Sequence, residues 1–140
     1  MRPGARVVVL ADASLRPVQA LVRWDPRGHA ERELGERVAL GFPPAAVFAE
    51  LSGDEAAVGE LIGVARLPPE AQVLGPVPLS AAAIANRSRA ASGLPAARAL
   101  IRAPRLMAGQ LSVALREAQG LRSARKLPAV RVRIDPQEIA

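Results

Sequence analysis

The stretch Val130-Arg-Val-Arg-Ile-Asp135 decides the fold class of this chain. Its apolar and charged residues alternate strictly, which is the pattern of a β-strand with one face toward a core and the other toward solvent. Just before it, apolar residues at helical spacing predict a helix from Leu106 to about Arg122. Before that helix, Ala99 to Arg102 is a further strand candidate. The end of the chain therefore reads as strand, helix, strand.

The same order occurs once more upstream. Ala45 to Leu51 is a strand candidate, and Ser52 to Glu55 has the spacing of a capping box that opens a helix with one apolar stripe. Ala71 to Leu74 is a short strand candidate, and the small residues over 79–97 predict a loop. From residue 42 the order is β-α-β, loop, β-α-β. This order predicts an α+β fold, a split βαβ, ferredoxin-like sandwich with helices on one face of a mostly antiparallel sheet.

A different pattern precedes residue 42. The continuous apolar stretch at 6–11 is typical of a strand buried on both faces of a parallel sheet, but the chain offers it too few companion strands. Such a strand would leave unpaired apolar edges that favour aggregation. Two helices are predicted next, from Ser14 to Trp24 and, with Asp25 as N-cap and Pro26 at the first helical position, to about Leu40. Gly41 suits the end of that helix, so the predicted division is 1–41 and 42–140.

The composition excludes several classes of protein. The chain has 140 residues, the size of one domain or of a small domain with an appendage. It has no cysteine and one histidine, His29, which excludes disulfide frameworks, cysteine nucleophiles and clusters of histidine ligands. A phosphate-binding loop needs Gly-Lys-Ser/Thr, and the only lysine, Lys126, follows an arginine. No apolar run approaches the length of a membrane span, so we expect a cytoplasmic protein. No residue pattern supports catalysis.

The positive charge is concentrated in the second half of the chain. The formal net charge is +6, and residues 71–134 carry eleven Arg or Lys residues against one acid, Glu117. Guanidinium groups match phosphate oxygens, which favours nucleic acid as the ligand of these cations. The alternative is a structural role, because cations also complement helix ends and solvate exposed sheet faces. No aromatic residue follows Phe48, so contact with the nucleic-acid backbone is favoured over base stacking. The predicted DNA-binding residues are Arg98, Arg102, Arg122, Arg125, Lys126, Arg131 and Arg133.

Several segments together resemble one known family, the primosomal protein N′ family of PriA-type replication-restart DNA helicases. Residues 33–44, which end in Gly-Phe-Pro-Pro, resemble the family's "LPPF" boundary, and Val73-Leu-Gly-Pro-Val-Pro78 resembles its "VLGPxPA" segment. Residues 122–126 and 130–139 resemble its C-terminal ending, which runs through Arg-Lys to Ile-Asp-Val-Asp-Pro. The order and spacing fit nearly the whole chain, and the Ala- and Arg-rich style resembles actinobacterial members.

The resemblance implies a role in replication restart. It places residues 1–41 at the end of the second helicase lobe and residues 42–140 in the C-terminal domain, whose fold is like that of ribosomal protein S10. The family's ATP, Mg and Zn sites lie in domains without a counterpart here, so this chain alone is expected to hold no cofactor and to be inactive as a helicase. In that family the C-terminal domain contacts forked or branched DNA, acts with primosome proteins and helps to bind the acidic tail of single-strand-binding protein, so the resemblance implies these partners here. That tail contact uses an Arg and a Gln near the start of the last helix, for which Arg105 and Gln110 are the nearest candidates.

Two alternatives remain open from the residues. The chain could be a stand-alone ferredoxin-like protein-interaction module, which would form a complex that persists at high salt without affinity for DNA. It could also be a non-functional fragment from a truncated reading frame or a split gene.

Overall fold

The structure is a computed structural model that describes residues 8–79 and 96–137. Residues 80–95, most of the predicted loop, lie outside the described residues. After residue 45 the described elements alternate as predicted, β-α-β and again β-α-β. In chain order the elements are α1 (Arg16–Val22), α2 (Pro26–Leu40), β1 (Ala46–Asp54), α3 (Glu55–Val64), β2 (Gln72–Pro78), β3 (Ala96–Pro104), a 3-10 turn (Arg105–Met107), α4 (Ala108–Ala124) and β4 (Arg131–Ile134).

The described strands form one antiparallel sheet in the order β2-β3-β1-β4. The central strand β1 pairs with β3 along its whole length and with β4 over Ala49–Ser52. At the other side of β3, strand β2 has an irregular register between Leu74 and Val77, where Gly75 adopts a positive φ of 98°. The chain is therefore a mixed α+β protein, which confirms the predicted class.

The core lies between the sheet and the helices α3 and α4. Its largest fully buried side chains include Leu51 of β1, Leu61 of α3, Ile101 of β3 and Leu111 of α4. Full burial of such a side chain contributes about 1.5–3 kcal/mol. The α4 residues that reach this core belong to the apolar stripe that the sequence predicted. Helices α3 and α4 therefore cover the face of the sheet whose side chains form the core.

Helices α1 and α2 begin and end close to their predicted positions but bury very little. The Oδ1 atom of Asp25 accepts a hydrogen bond from the amide of Gly28 at 2.9 Å, which confirms the predicted N-cap. Gly41 ends α2 with a φ of 65°, in the left-handed region that glycine adopts without strain. Among the residues of these two helices, Ala20 is the only buried one.

Two local predictions are wrong. Residues 8–11, the described part of the predicted strand over 6–11, form no strand, because no described strand lies beside them to pair with their backbone. Ser52 is not the N-cap of α3, because β1 continues through Asp54 and keeps Ser52 paired within the sheet. Asp54 takes that position, and its Oδ1 atom accepts from the amide of Ala57 at 3.2 Å.

Candidate nucleic-acid interface

One face of the sheet is not covered by α3 and α4, and we call it the open face. Phe48, Glu50 and Ser52 of β1 lie on it, because the residues that alternate with them join the core on the other side. Paired residues of neighbouring strands lie on the same side of a sheet. The register of β3 and β4 against β1 therefore defines the rest of the open face.

The register brings the four predicted strand arginines onto this one face. The sequence places two of them on each of two separate strands, and only the strand pairing shows that these strands flank β1. Neighbouring strands are about 4.8 Å apart, so residues that share a row on β3 and β4 have Cα atoms about 10 Å apart. Ser52 of β1 pairs with Arg98 on one side and with Arg131 on the other. Glu50 pairs with Arg133 of β4, and Phe48 pairs with Arg102 of β3.

Arg98 is engaged within the sheet. Its Nε atom lies 3.4 Å from Oε1 of Glu50, and the two side chains are 12% and 1% exposed. A buried carboxylate requires a cation nearby, because removing it from water is otherwise costly. Arg98 therefore serves to neutralise Glu50, a residue that the sequence analysis did not single out.

Arg102 is half-buried and donates to two neutral oxygens. Its Nη1 atom donates to the carbonyl oxygen of Leu40 at 3.0 Å, and its Nη2 atom donates to Oε1 of Gln72. Leu40 is the last residue of α2, and the final carbonyls of a helix lack partners within it. The guanidinium of Arg102 therefore caps the C-terminus of α2.

Arg122 has a structural position. Its side chain is 6% exposed, forms an ion pair with Glu60 of α3, and donates through Nη2 to the carbonyl oxygen of Pro128 at 3.1 Å. These contacts tie α4 both to α3 and to the segment that leads into β4. Little of the Arg122 guanidinium is left for an external phosphate.

The other four predicted cations, Arg125, Lys126, Arg131 and Arg133, are exposed. Within the described ranges, none of the four forms a salt bridge. Lys126 has a positive φ of 54° in the turn that ends α4, a conformation that glycine adopts with less strain. The turn therefore keeps a cation where glycine would be the easier residue. Five residues later, Arg131 opens β4, so the exposed cations form a short run from the end of α4 into the open face.

The predicted partner-binding residues, Arg105 and Gln110, are not brought together. Arg105 donates through Nη1 to Oδ2 of Asp135 at 2.6 Å, while the other carboxylate oxygen of Asp135 accepts from the amide of Phe48 at 3.1 Å. Asp135, the residue after β4, thus links Arg105 to Phe48 of β1. Gln110 instead lines a groove between α4 and the segment that follows α3.

That groove contains a cation that the sequence analysis missed. Arg66 lines it together with Gln110, Val113, Ala114 and Glu117. Arg66 follows α3, more than forty residues before Gln110, so no local spacing connects the two. Only the packing of α3 against α4 brings them to one groove.

Two classes of site are not present among the described residues. No group of three or more His, Cys, Asp or Glu side chains in residues 8–79 and 96–137 is placed to hold a metal ion. No helix in the same ranges is both long enough and apolar enough to cross a membrane.

Comparison with known proteins gives one consistent family. A family model described as the primosomal protein N C-terminal domain matches residues 38–137. The chain is 44% identical over 137 residues to the "Probable replication restart protein PriA" of Mycobacterium leprae (strain TN). It is 40% identical over 148 residues to the protein of the same name from Mycobacterium tuberculosis (strain CDC 1551 / Oshkosh).

These alignments cover 97% of this chain but 21% and 22% of the two mycobacterial proteins. The chain therefore spans about a fifth of the length of the curated relatives it matches. The family is the one that the sequence segments resemble, and the matched model spans most of the chain. The chain belongs to the primosomal protein N C-terminal domain family.

Proposed function

We propose that this chain is the DNA-binding and partner-binding C-terminal portion of a replication restart protein, that it acts with primosome proteins at stalled forks, and that it performs no catalysis of its own. Membership of the family supports the link to replication restart. The observation that carries the DNA-binding part is the run of exposed cations without carboxylate partners, from Arg125 and Lys126 to Arg131 and Arg133. A cation that no carboxylate neutralises is free to displace counterions from a phosphate backbone.

The proposed organisation has two parts. Residues 1–41 belong to the end of a helicase lobe, and residues 42–140 form the C-terminal domain. The scarcity of buried side chains in α1 and α2 supports this division, because a helical pair with one buried residue needs further protein to pack against. The strand order β2-β3-β1-β4, with helices on one face, supports a ferredoxin-like, split βαβ fold like that of ribosomal protein S10. We place the protein in the cytoplasm, and we assign ATP, Mg and Zn to domains outside this chain.

The proposed contact is with phosphates rather than with bases. Phe48 is the aromatic residue that the described strands place on the open face, and it is 2% exposed. A buried ring cannot stack on an unpaired base, which is how single-strand binders gain much of their affinity. The exposed arginines can instead donate in pairs to phosphate oxygens. The expected ligand is therefore the backbone of double-stranded or branched DNA.

Fluorescence anisotropy of labelled fork, duplex and single-stranded DNA across a salt series tests this function. We expect the fork to bind most tightly and log affinity to fall against log salt with a slope of about −3 to −5, since about four to five phosphates are engaged. The absence of binding at low salt would contradict the proposal. A slope near zero would do the same, because it would mean that no phosphate is neutralised.

The groove between α4 and Arg66 favours a second function, binding of the acidic tail of single-strand-binding protein. Val113 is 41% exposed beside Arg66, so the groove offers an apolar wall next to a cation. In the family the tail contact uses an Arg and a Gln, and the residue that accompanies Gln110 in this groove is Arg66 rather than Arg105. We therefore assign the tail to the groove. A protein-interaction module without DNA affinity would use the same groove.

Anisotropy with a labelled acidic tail peptide separates the two arginines. We expect Arg66→Gln to weaken peptide binding several-fold and Arg105→Gln to leave it unchanged in the folded protein. Circular dichroism of both variants provides the control for folding. If Arg105→Gln abolished binding while Arg66→Gln bound normally, the groove would not be the site.

A further inference from the structure

Among the described residues, Arg102 differs from the other arginines that are partly or fully buried. Arg98 and Arg122 have carboxylate partners, which neutralise their charges. The two oxygens that accept from Arg102, on Leu40 and Gln72, are both neutral. Arg102 is therefore complemented by a helix end but forms no ion pair with a carboxylate among the described residues, and it brings its positive charge to the open face at a depth where charges are screened less than on the surface.

The same side chain holds the end of α2 against the sheet. A Cβ atom placed on Gly41 would lie 3.0 Å from Nη1 of Arg102, so the chain passes directly over the guanidinium. Next to it, the ring of Phe42 lies 5.9 Å from that of Phe48. No residue of α2 is itself buried, and a groove of about 350 Å³ remains between the helix end and the sheet. The attachment of α2 therefore rests on few contacts, and among the described residues the Arg102 hydrogen bond is the one that joins α2 to a strand of the sheet.

We infer that nucleic acid and the C-terminus of α2 are alternative partners of Arg102, so that DNA bound on the open face releases α2 from the sheet. The inference rests on the proposed DNA-binding function and concerns the regulation of that same face. A phosphate carries a full negative charge, so its ion pair with a guanidinium is stronger than the hydrogen bond that the neutral Leu40 carbonyl accepts from the same group. Because the chain at Gly41 passes directly over the guanidinium, we expect a phosphate that binds Arg102 to take the place of the Leu40 carbonyl and of this turn. DNA binding is in this way coupled to the position of the helices that precede the domain.

Amide hydrogen exchange of the full chain, with and without a duplex of about 20 base pairs, tests the coupling. The amides of Gly41 and Phe42 are the reporters, because they donate to Val38 and Arg37 in the turn that ends α2. We expect saturating duplex to raise their exchange several-fold. Anisotropy on the same samples reports whether DNA is bound.

Two variants that each remove one positive charge from the open face separate release from binding. In Arg102→Gln, we expect fast exchange at Gly41 and Phe42 already without DNA, no further rise with DNA, and a salt slope smaller by about 1. In Arg131→Gln, we expect a similar loss of slope, but saturating duplex should still raise the exchange. Duplex that binds the wild-type chain without changing this exchange would overturn the inference and leave the proposed function intact. A wild-type chain that binds no duplex would overturn both.

Discussion

The two halves of this molecule use the same local signals but differ in what those signals build. Both α2 and α3 begin at an aspartate whose side chain accepts from a backbone amide three residues later. Yet α3 contributes Ala57, Val58 and Leu61 to the core, whereas α2 contributes no buried residue. Capping and helix propensity therefore decide where a helix forms, and burial decides whether it belongs to a self-sufficient domain.

The largest expected effect is on the free energy of unfolding, when a buried leucine of α3 and an exposed leucine of α2 are each replaced by alanine. Leu61→Ala should lower the free energy of unfolding by about 2–5 kcal/mol, because it leaves a cavity in the core between α3 and the sheet. Leu34→Ala in α2 is the matched control, since Leu34 is 46% exposed, and it should change stability by less than about 0.5 kcal/mol. Urea denaturation of both variants gives the comparison. Equal losses would mean that α2 shares the core after all.

The cations of the second half differ among themselves in a similar way. Arg122→Ala should cost about 1–3 kcal/mol of stability, because it leaves the Pro128 carbonyl without its donor and breaks the contact between α4 and α3. Arg125→Ala, three residues later and exposed, should cost less than about 0.5 kcal/mol. Thermal unfolding of the two variants checks this. If Arg125→Ala were the more destabilising change, the structural position assigned to Arg122 would be wrong.

The two N-caps give a smaller and more local comparison. Asp54→Ala should lower global stability by about 1 kcal/mol, because α3 is part of the cooperative core. Asp25→Ala should leave global unfolding unchanged and raise amide exchange only within α2. Urea denaturation and exchange on the same samples distinguish the outcomes. A global loss in both variants would show that the two halves unfold as one unit.

The smallest expected effect is a pH dependence in α2. A hydrogen bond from Arg37, together with its charge, lowers the pKa of Glu33 in the folded chain. A carboxyl group with a lowered pKa stabilises the fold above its unfolded pKa, and this contribution is lost as the pH falls through the folded pKa. The helical signal of Glu33→Gln should therefore lie slightly below that of the wild type at neutral pH, and the two should converge in acid. A difference that persisted in acid would contradict this origin.

The elements that depend on local residues were predictable from the sequence. The N-cap at Asp25, the end of α2 at Gly41 and the alternating strand at the end of the chain all follow from signals within a few residues. The strand predicted over 6–11 is wrong in its described part, residues 8–11, because an apolar run does not form a strand without a pairing partner. The cap at Ser52 was mispredicted because the length of β1 depends on its pairing with β3.

For the candidate site, the sequence predicted the types of residue but not how the fold arranges them. The sequence identifies the arginines of β3 and β4. That they lie on the same face of the sheet depends on both strands pairing with β1. The carboxylate that engages Arg98 and the carbonyl that engages Arg102 lie about fifty and sixty residues away in the chain. Contacts at that separation leave no local pattern, so exposed and engaged cations look alike in the sequence.

The most direct test of the central claim compares the salt dependence of duplex binding for two double variants. Arg131→Gln with Arg133→Gln removes two charges from the open face, and Arg27→Gln with Arg32→Gln removes two from α2, so the net charge falls equally. We predict that the first pair weakens binding and reduces the slope of log affinity against log salt by about 2, while the second pair leaves the slope unchanged. Equal slopes for the two double variants would contradict the claim that the open face binds phosphates.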